Sequence, residues 1–149
     1  MPSIFDVMTN INRTGGSGER LAEMHADPAR FIRDFYEGIS HAILSNDSDA
    51  DVVDRFHTPD MVQVADGVTM DRDRLIAHMR PVRKGLGRSR VEVHEAIAAD
   101  DAVAARLTIH AELNRQVIVT DAHFFGRFAV DGRLRSAHQF TKTRKQATA

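Results

Sequence analysis

Residues 89–143, SRVEVHEAIAADDAVAARLTIHAELNRQVIVTDAHFFGRFAVDGRLRSAHQFTKT, read as long strands separated by tight turns at Asp100-Asp101, Asn114-Arg115 and Asp131-Gly132. Asp, Asn and Gly tolerate the left-handed backbone that a short hairpin turn demands, and the runs between them are rich in Val, Ile, Thr and Phe. Most of what precedes this block reads as helix. Helices first and a strand meander last predict an α+β fold: a cone-shaped, curved antiparallel sheet wrapped around three N-terminal helices and enclosing a pocket.

Working back from the block, Asp27 is a good N-cap and Pro28 suits the first helical position. Phe31, Ile32, Phe35, Ile39, Ala42 and Ile43 then recur at helical spacing, and the helix ends near Ser45-Asn46. Asp49 or Asp51 can cap a short second helix through Val52, Val53 and Phe56, which Thr58-Pro59-Asp60 stops. Met61 to Val64 reads as a short strand followed by an Asp66-Gly67 turn. Asp71 caps a third helix with Leu75, Ile76 and Met79, which Pro81 bends or ends. The glycine-rich Thr14–Gly18 stretch follows a short possible helix, Ile4 to Ile11. The expected division is an appendage over residues 1–26, one cone domain over 27–143 and a tail over 144–149.

A chain of 149 residues, 42% of them hydrophobic, has the size of one domain with its own core. Twenty basic against 21 acidic residues leave a formal charge of −1, which lacks the long-range attraction to phosphate that a nucleic-acid binder uses. No cysteine is present, so disulfides, thiolate metal sites and cysteine nucleophiles are ruled out. The N-terminus has no signal-peptide pattern and no 18-residue apolar run occurs, so neither a membrane nor export is expected and the location expected is cytoplasmic.

Three stretches carry a family likeness: FYEGISHAILSNDSDADVVDRFHTPDMVQVADG (35–67), AADDAVAARLTIH (98–110) and FFGRFAVDGRLRSAHQF (124–140). In element order and in these motifs the chain resembles the nuclear transport factor 2-like superfamily over residues 27–143. The likeness is to its SnoaL-like branch of polyketide cyclases, ketosteroid isomerases and limonene-type epoxide hydrolases. It implies a small hydrophobic ligand held in the cone and a homodimer formed through the back of the sheet.

A two-residue turn at Asp100-Asp101 pairs Ala98 with Val103, Glu95 with Arg106, Val93 with Thr108 and Val91 with His110. Alternation alone would bury the Val103–Leu113 row and leave Arg106, Thr108 and His110 in water. The resemblance implies the reverse, with the Arg106 row lining the cone and the other row packing a second subunit. Counting back from Asp131-Gly132 by the pattern of the family it resembles, the likeness implies Phe124, Phe128, Ala137, Gln139 and Thr141 inward, and His123, Arg127, His138 and Phe140 outward. Bringing both assignments onto one sheet needs a three-residue turn at Asn114 to Gln116.

Arg106 with Glu95 is the leading catalytic pair, able to orient a substrate oxygen or a water, and more simply readable as a structural salt bridge. His110 on the same row could act as acid or base near neutral pH, or serve as a hydrogen-bonded lining residue. Thr108 and Gln139 would bind a ligand through hydrogen bonds, with Phe124 and Phe128 as apolar lining. By resemblance, His41 lies where relatives place a pocket hydroxyl or imidazole, and Asp66 where ketosteroid isomerases place a carboxylate. The epoxide hydrolases use an Arg, an Asp two residues later and an Asp on the last strand. Here those positions hold Arg106, Thr108 and Gln139, so the water-activating carboxylates are missing. Gln139 likewise replaces the cyclases' acid. Asp121 and His123 share a face but are two ligands without a third, so no metal is expected, and no cofactor is implied. The basic run Arg80, Arg83, Lys84, Arg88 and Arg90 fits an anion or, more simply, a solvated helix end.

Two functional expectations stand side by side. One is a cofactor-free lyase, isomerase or hydrolase acting on a hydrophobic metabolite; the other is a non-catalytic ligand-binding or dimeric interaction module.

Overall fold

A computed structural model of the protein describes residues 18–146, so the possible helix at Ile4 to Ile11 lies outside the described residues. Helix α1 is Glu19–Ala26, α2 is Pro28–Ile43, α3 is Asp49–Phe56 and α4 is Arg72–Gly85. The Asp27 carboxylate caps α2 by accepting the Arg30 N–H at 3.1 Å, and Pro28 occupies its first turn as expected. The cap of α3 is Ser48, whose hydroxyl accepts the Asp51 N–H at 3.1 Å. Asp49 and Asp51 instead fill its first turn, where the positive end of the helix dipole favours them. Pro81 sits inside α4, which continues to Gly85; the ring is on the exposed side, away from the core residues Leu75 and Met79.

The strands are β1 (His57–Ala65), β2 (Val68–Asp71), β3 (Leu86–Ala99), β4 (Ala102–Leu113), β5 (Gln116–Phe128) and β6 (Leu134–Gln146). They form one sheet in the order β2-β1-β6-β5-β4-β3, with only β1 and β6 parallel. The curved, unclosed sheet with helices against it is the α+β architecture expected. Strand β6 runs past residue 143, and α1 buries Met24 in the same core as Phe31 and Phe128. Strand β2, whose four residues are mostly exposed, follows the Asp66-Gly67 turn and was not legible as a strand.

Two local features settle which row faces the helices. The expected pairs Ala98–Val103 and Glu95–Arg106 form, but the register shifts between Val93 and Glu95. The extra residue, His94, makes a bulge, so Val93 meets Leu107 and Val91 meets Ile109 rather than Thr108 and His110. At the far end the turn has two residues: Leu113 pairs with Gln116, and Asn114 and Arg115 take φ of 52° and 65°. Positive φ at both central residues marks the turn whose twist suits a two-residue hairpin.

With that turn, Ala105 pairs with Phe124 while Arg106 pairs with His123. Directly opposed residues share a face. The Arg106, Thr108 and His110 row therefore lies on the side away from the helices, which corrects the expectation that it lines the cone. Val103, Ala105 and Leu107 turn inward and are buried, as alternation alone implied. The assignments on the last two strands agree with those expected: Phe124, Phe128, Ala137 and Gln139 lie on the helix side, and His123, Arg127, His138 and Phe140 on the other.

Two apolar clusters pack on the concave side. The larger joins Met24, Phe31, Ile32 and Phe35 of α1 and α2 to Val91, Leu107, Phe124 and Phe128 of the sheet. Its rings meet edge to face, Phe31 with Phe128 at 4.9 Å and Phe35 with Phe128 at 5.4 Å, the arrangement aromatic quadrupoles favour. The smaller links Ile43, Val52 and Val53 to Met61, Leu75 and Met79, fixing α3 and α4 beside β1.

Candidate functional site

The inner face carries a small polar group in apolar surroundings. The Tyr36 hydroxyl, on α2, donates to Gln139 Oε1 on β6 at 3.2 Å. The Tyr36 ring lies edge-on to Phe35 at 5.6 Å and to Phe124 at 6.0 Å. Burial raises the Tyr36 pKa well above its usual value, so the phenol stays a neutral donor. Gln63 of β1 pairs with Ala137 and shares this face, two residues from buried Met61. Phenol and amides together can hold a carbonyl or hydroxyl oxygen by hydrogen bonding, but neither transfers a proton near neutral pH.

His57, at the junction of α3 and β1, is the titratable group that sequence reasoning missed. It is buried, its Nδ1 lies 2.9 Å from the Val53 carbonyl, and its ring meets Phe35 at 6.0 Å. A carbonyl only accepts, so Nδ1 carries the proton. Burial lowers the His57 pKa despite the Val53 bond and the nearby Asp54. The neutral form thus leaves Nε2 with its lone pair. The signal available was only a histidine directly after a short amphipathic helix, a position with many uses.

This shift fixes a sign for the pH dependence of stability. The unfolded chain binds the His57 proton near pH ~6.5 and the folded chain only at lower pH. The stability contribution is therefore complete above that range and is lost as pH falls toward the folded pKa, with a slope of at most about 1.4 kcal/mol per pH unit. Urea unfolding at pH 7.5 and 5.0 should show the unchanged chain losing more stability on acidification than His57→Gln. Equal losses would remove His57 from the account.

On the outer face, Arg106 Nε donates to Glu95 Oε1 at 3.1 Å, so the anticipated pair forms. Both side chains are about half exposed or more, where such pairs contribute at most about 1 kcal/mol. Thr108 is buried and links two strands: its hydroxyl donates to Asp121 Oδ1 at 2.8 Å and, its one proton so used, accepts from His94 Nε2 at 2.7 Å. The Thr108 bond, helped by Arg144, holds the Asp121 carboxyl below its usual range. His110 Nε2 is buried without a hydrogen bond, and Glu92 Oε2 is 3.6 Å away, too far for one. A hollow of about 200 Å³ lies here, lined by His94, Arg106, Thr108, Asp121 and His123 together with Leu107 and Ala122.

The remaining anticipated residues are dispersed. Asp66, in the β1–β2 turn, accepts from the Thr141 hydroxyl and from its N–H at 2.7 Å, and these bonds lower its pKa. That clasp ties the turn to the strand bearing Gln139. His41 is exposed near the end of α2. Phe124 stands beside the Tyr36–Gln139 pair and Phe128 lies beyond it in the same cluster, whereas Arg106 and Thr108 are on the opposite side of the sheet from Gln139. From the basic run, Arg83 bonds inward to the Asp47 carbonyl at 2.6 Å and pairs with Asp49 at 3.3 Å. A broad cleft of about 650 Å³ between β1, β2 and the start of α4 includes Asp54, Asp60, Arg72 and Arg133; Arg72 and Asp54 close a two-bond ion pair in it at 2.7 and 2.9 Å.

The element order and the helix-covered sheet together define the class. Residues 32–137 match the SnoaL-like domain, and the chain belongs to that family. Among solved structures it is similar to an epoxide hydrolase of the LEH-like type from M. tuberculosis, at 18% identity over 79% of this chain and 84% of that one, with a TM-score of 0.60. It is also similar to a conserved protein from Planctomyces limnophilus, at 16% identity over 80% and 99% of the two chains and a TM-score of 0.62. BvnE pinacolase from Penicillium brevicompactum is a third, at 15% identity over 83% and 86% and a TM-score of 0.58. These likenesses establish the nuclear transport factor 2-like fold. Comparison with curated protein sequences finds no match. Among the described residues, no helix is long and apolar enough to cross a membrane.

Proposed function

We propose that the cone binds a neutral, largely apolar small molecule through one of its oxygens at Tyr36 and Gln139, with Phe124 and Phe128 contributing the apolar wall. The observation that carries this reading is the Tyr36–Gln139 hydrogen bond set among aromatic rings. A charged ligand would lose hydration among these rings, a loss that one phenol and one amide offset poorly. The sequence match to the SnoaL-like family and structural neighbours that include an epoxide hydrolase and a pinacolase support a small-molecule role.

A catalytic form of this reading has a base available in neutral His57, which meets the same Phe35 ring as Tyr36. The chemistry would be a cofactor-free proton transfer on a substrate whose oxygen Tyr36 and Gln139 hold. On the outer face, Arg106, Glu95, Thr108 and His110 belong in this proposal to the pairing of two copies through the back of the sheet. Exposed Ile97, Phe125 and Phe140 on that face supply the apolar area, and the mass in solution at neutral pH checks the pairing directly.

A matched pair of probes tests the ligand site: 2-acetylnaphthalene and 2-ethylnaphthalene, neutral molecules that differ in the carbonyl. Displacement of bound Nile red should show both binding. Tyr36→Phe combined with Gln139→Leu should weaken the ketone about tenfold, the scale of one lost hydrogen bond, and leave the hydrocarbon within about twofold. Failure of both probes to bind, or equal weakening of the two, would remove this reading.

A further inference from the structure

We propose that pairing of two copies through the back of the sheet is switched by pH at His123 and His138; this inference rests on the dimer reading above. The register interleaves rings and imidazoles: His123 pairs with Phe140, and Phe125 with His138. Phe125 and Phe140 are 44% and 71% exposed, and Ile97, in the same cross-strand row as Phe125, is 73% exposed. A second copy that covers these apolar groups must also cover both imidazoles. A neutral imidazole tolerates this if its polar atoms find partners, whereas a buried imidazolium needs a counter-charge.

No free counter-charge faces either histidine among the described residues. His123 has Arg106 opposite it on β4, Lys142 diagonal to it on β6, and Asp121 two residues back on its own strand. Asp121 is engaged by Thr108 and Arg144, and Arg106 by Glu95. His138 faces Phe125 on β5 and Val64 on β1, and its nearest charged diagonal, Arg127, is bound to Asp101.

The other two histidines of this face differ. His94 is tied through Thr108 to the Asp121 carboxylate, and His110 has Glu92 at 3.6 Å. His94 is fixed by its bond to Thr108 and His110 lies beside Glu92, so neither stands bare among the exposed rings as His123 and His138 do. The face is otherwise close to balanced, with Arg90, Arg106, Lys142 and Arg144 against Glu92, Glu95, Glu112 and Asp121, and with Arg127 matched by the Asp101 it binds. Protonating His123 and His138 tips a nearly neutral surface positive at its most apolar point.

By linkage, an association that must release the protons of both imidazoles from each protomer weakens as pH falls, by up to about 10⁴-fold per pH unit. Sedimentation velocity of the full chain at pH 7.5 and 5.5, with far-UV circular dichroism to confirm folding, tests the switch. The unchanged chain should be a dimer at 7.5 and a monomer at 5.5. His123→Gln with His138→Gln should be a dimer at both, and His94→Gln should behave as the unchanged chain. A dimer at both pH values in the unchanged chain, or a double variant that still dissociates at 5.5, overturns the switch. A monomer at both overturns the pairing and the switch with it, while the ligand test is unaffected.

Discussion

Phe128→Ala is expected to cost about 3–5 kcal/mol of stability, at the upper end for a single side chain. The ring is 1% exposed and sits between Phe31 and Phe35, so truncation removes two edge-to-face contacts as well as buried area. The surroundings cannot collapse easily, because one wall is a helix and the other a hydrogen-bonded sheet. The backbone role of the residue survives, since its N–H donates to the Asp101 carbonyl at 2.9 Å whatever the side chain. Thermal unfolding followed by circular dichroism should show a fall of roughly 10 °C, with Val130→Ala, in an exposed connection, as the control that changes little. A fall below about 3 °C would mean that the aromatic cluster does not hold α2 to the sheet.

The same cluster explains what could and could not be read in advance. Helix α2 was legible because its apolar spacing, its Asp27 cap and Pro28 all agree. The inward placement of Gln139 was legible through the family likeness, which supplies the face once β6 is counted from the Asp131-Gly132 turn. Strand β4 was legible through the size of its inward residues, but the family likeness argued for the opposite face. What decided the matter was a two-residue turn at Asn114-Arg115, and Arg115 is an unusual occupant of a positive φ. The bulge at His94 left no mark in the sequence, since an inserted residue inside a strand looks like any other residue. Tyr36–Gln139 joins residues 103 apart in the chain, and His57 owes its neutral state to burial; neither follows from local spacing.

That misreading of β4 also changes what its charged row is for. On the inner face Arg106 and Glu95 would have been costly groups that needed a catalytic reason. On the outer face they are inexpensive, and the polar chain from His94 through Thr108 to Asp121 ties β3, β4 and β5 together. In the proposed pairing of two copies, this face, with charges and apolar rings in alternation, is the contact surface.

Gly126→Ala is expected to disturb the fold and the inner site together. Gly126 is buried on the helix-facing side of β5, and the Phe124 ring lies back along its own strand over the space a side chain would take. A Cβ there would meet Phe124 Cε1 at 2.6 Å, clash with its Cζ, and approach Leu134 Cδ1 at 3.1 Å. Its φ is not positive, so the constraint is space rather than backbone conformation. Overpacking of this kind costs about 1–3 kcal/mol. To relieve the clash Phe124 must rotate, and its ring is one of those holding Tyr36 in place, at 6.0 Å between centroids. The Tyr36–Gln139 hydrogen bond should loosen in turn, so the variant should lose affinity for 2-acetylnaphthalene by more than its affinity for 2-ethylnaphthalene. A compensating Phe124→Leu should recover part of the stability by vacating the space, without restoring the preference for the ketone. Gly126→Ala with unchanged unfolding and unchanged ketone preference would show that the Phe124 ring neither fills that space rigidly nor supports Tyr36.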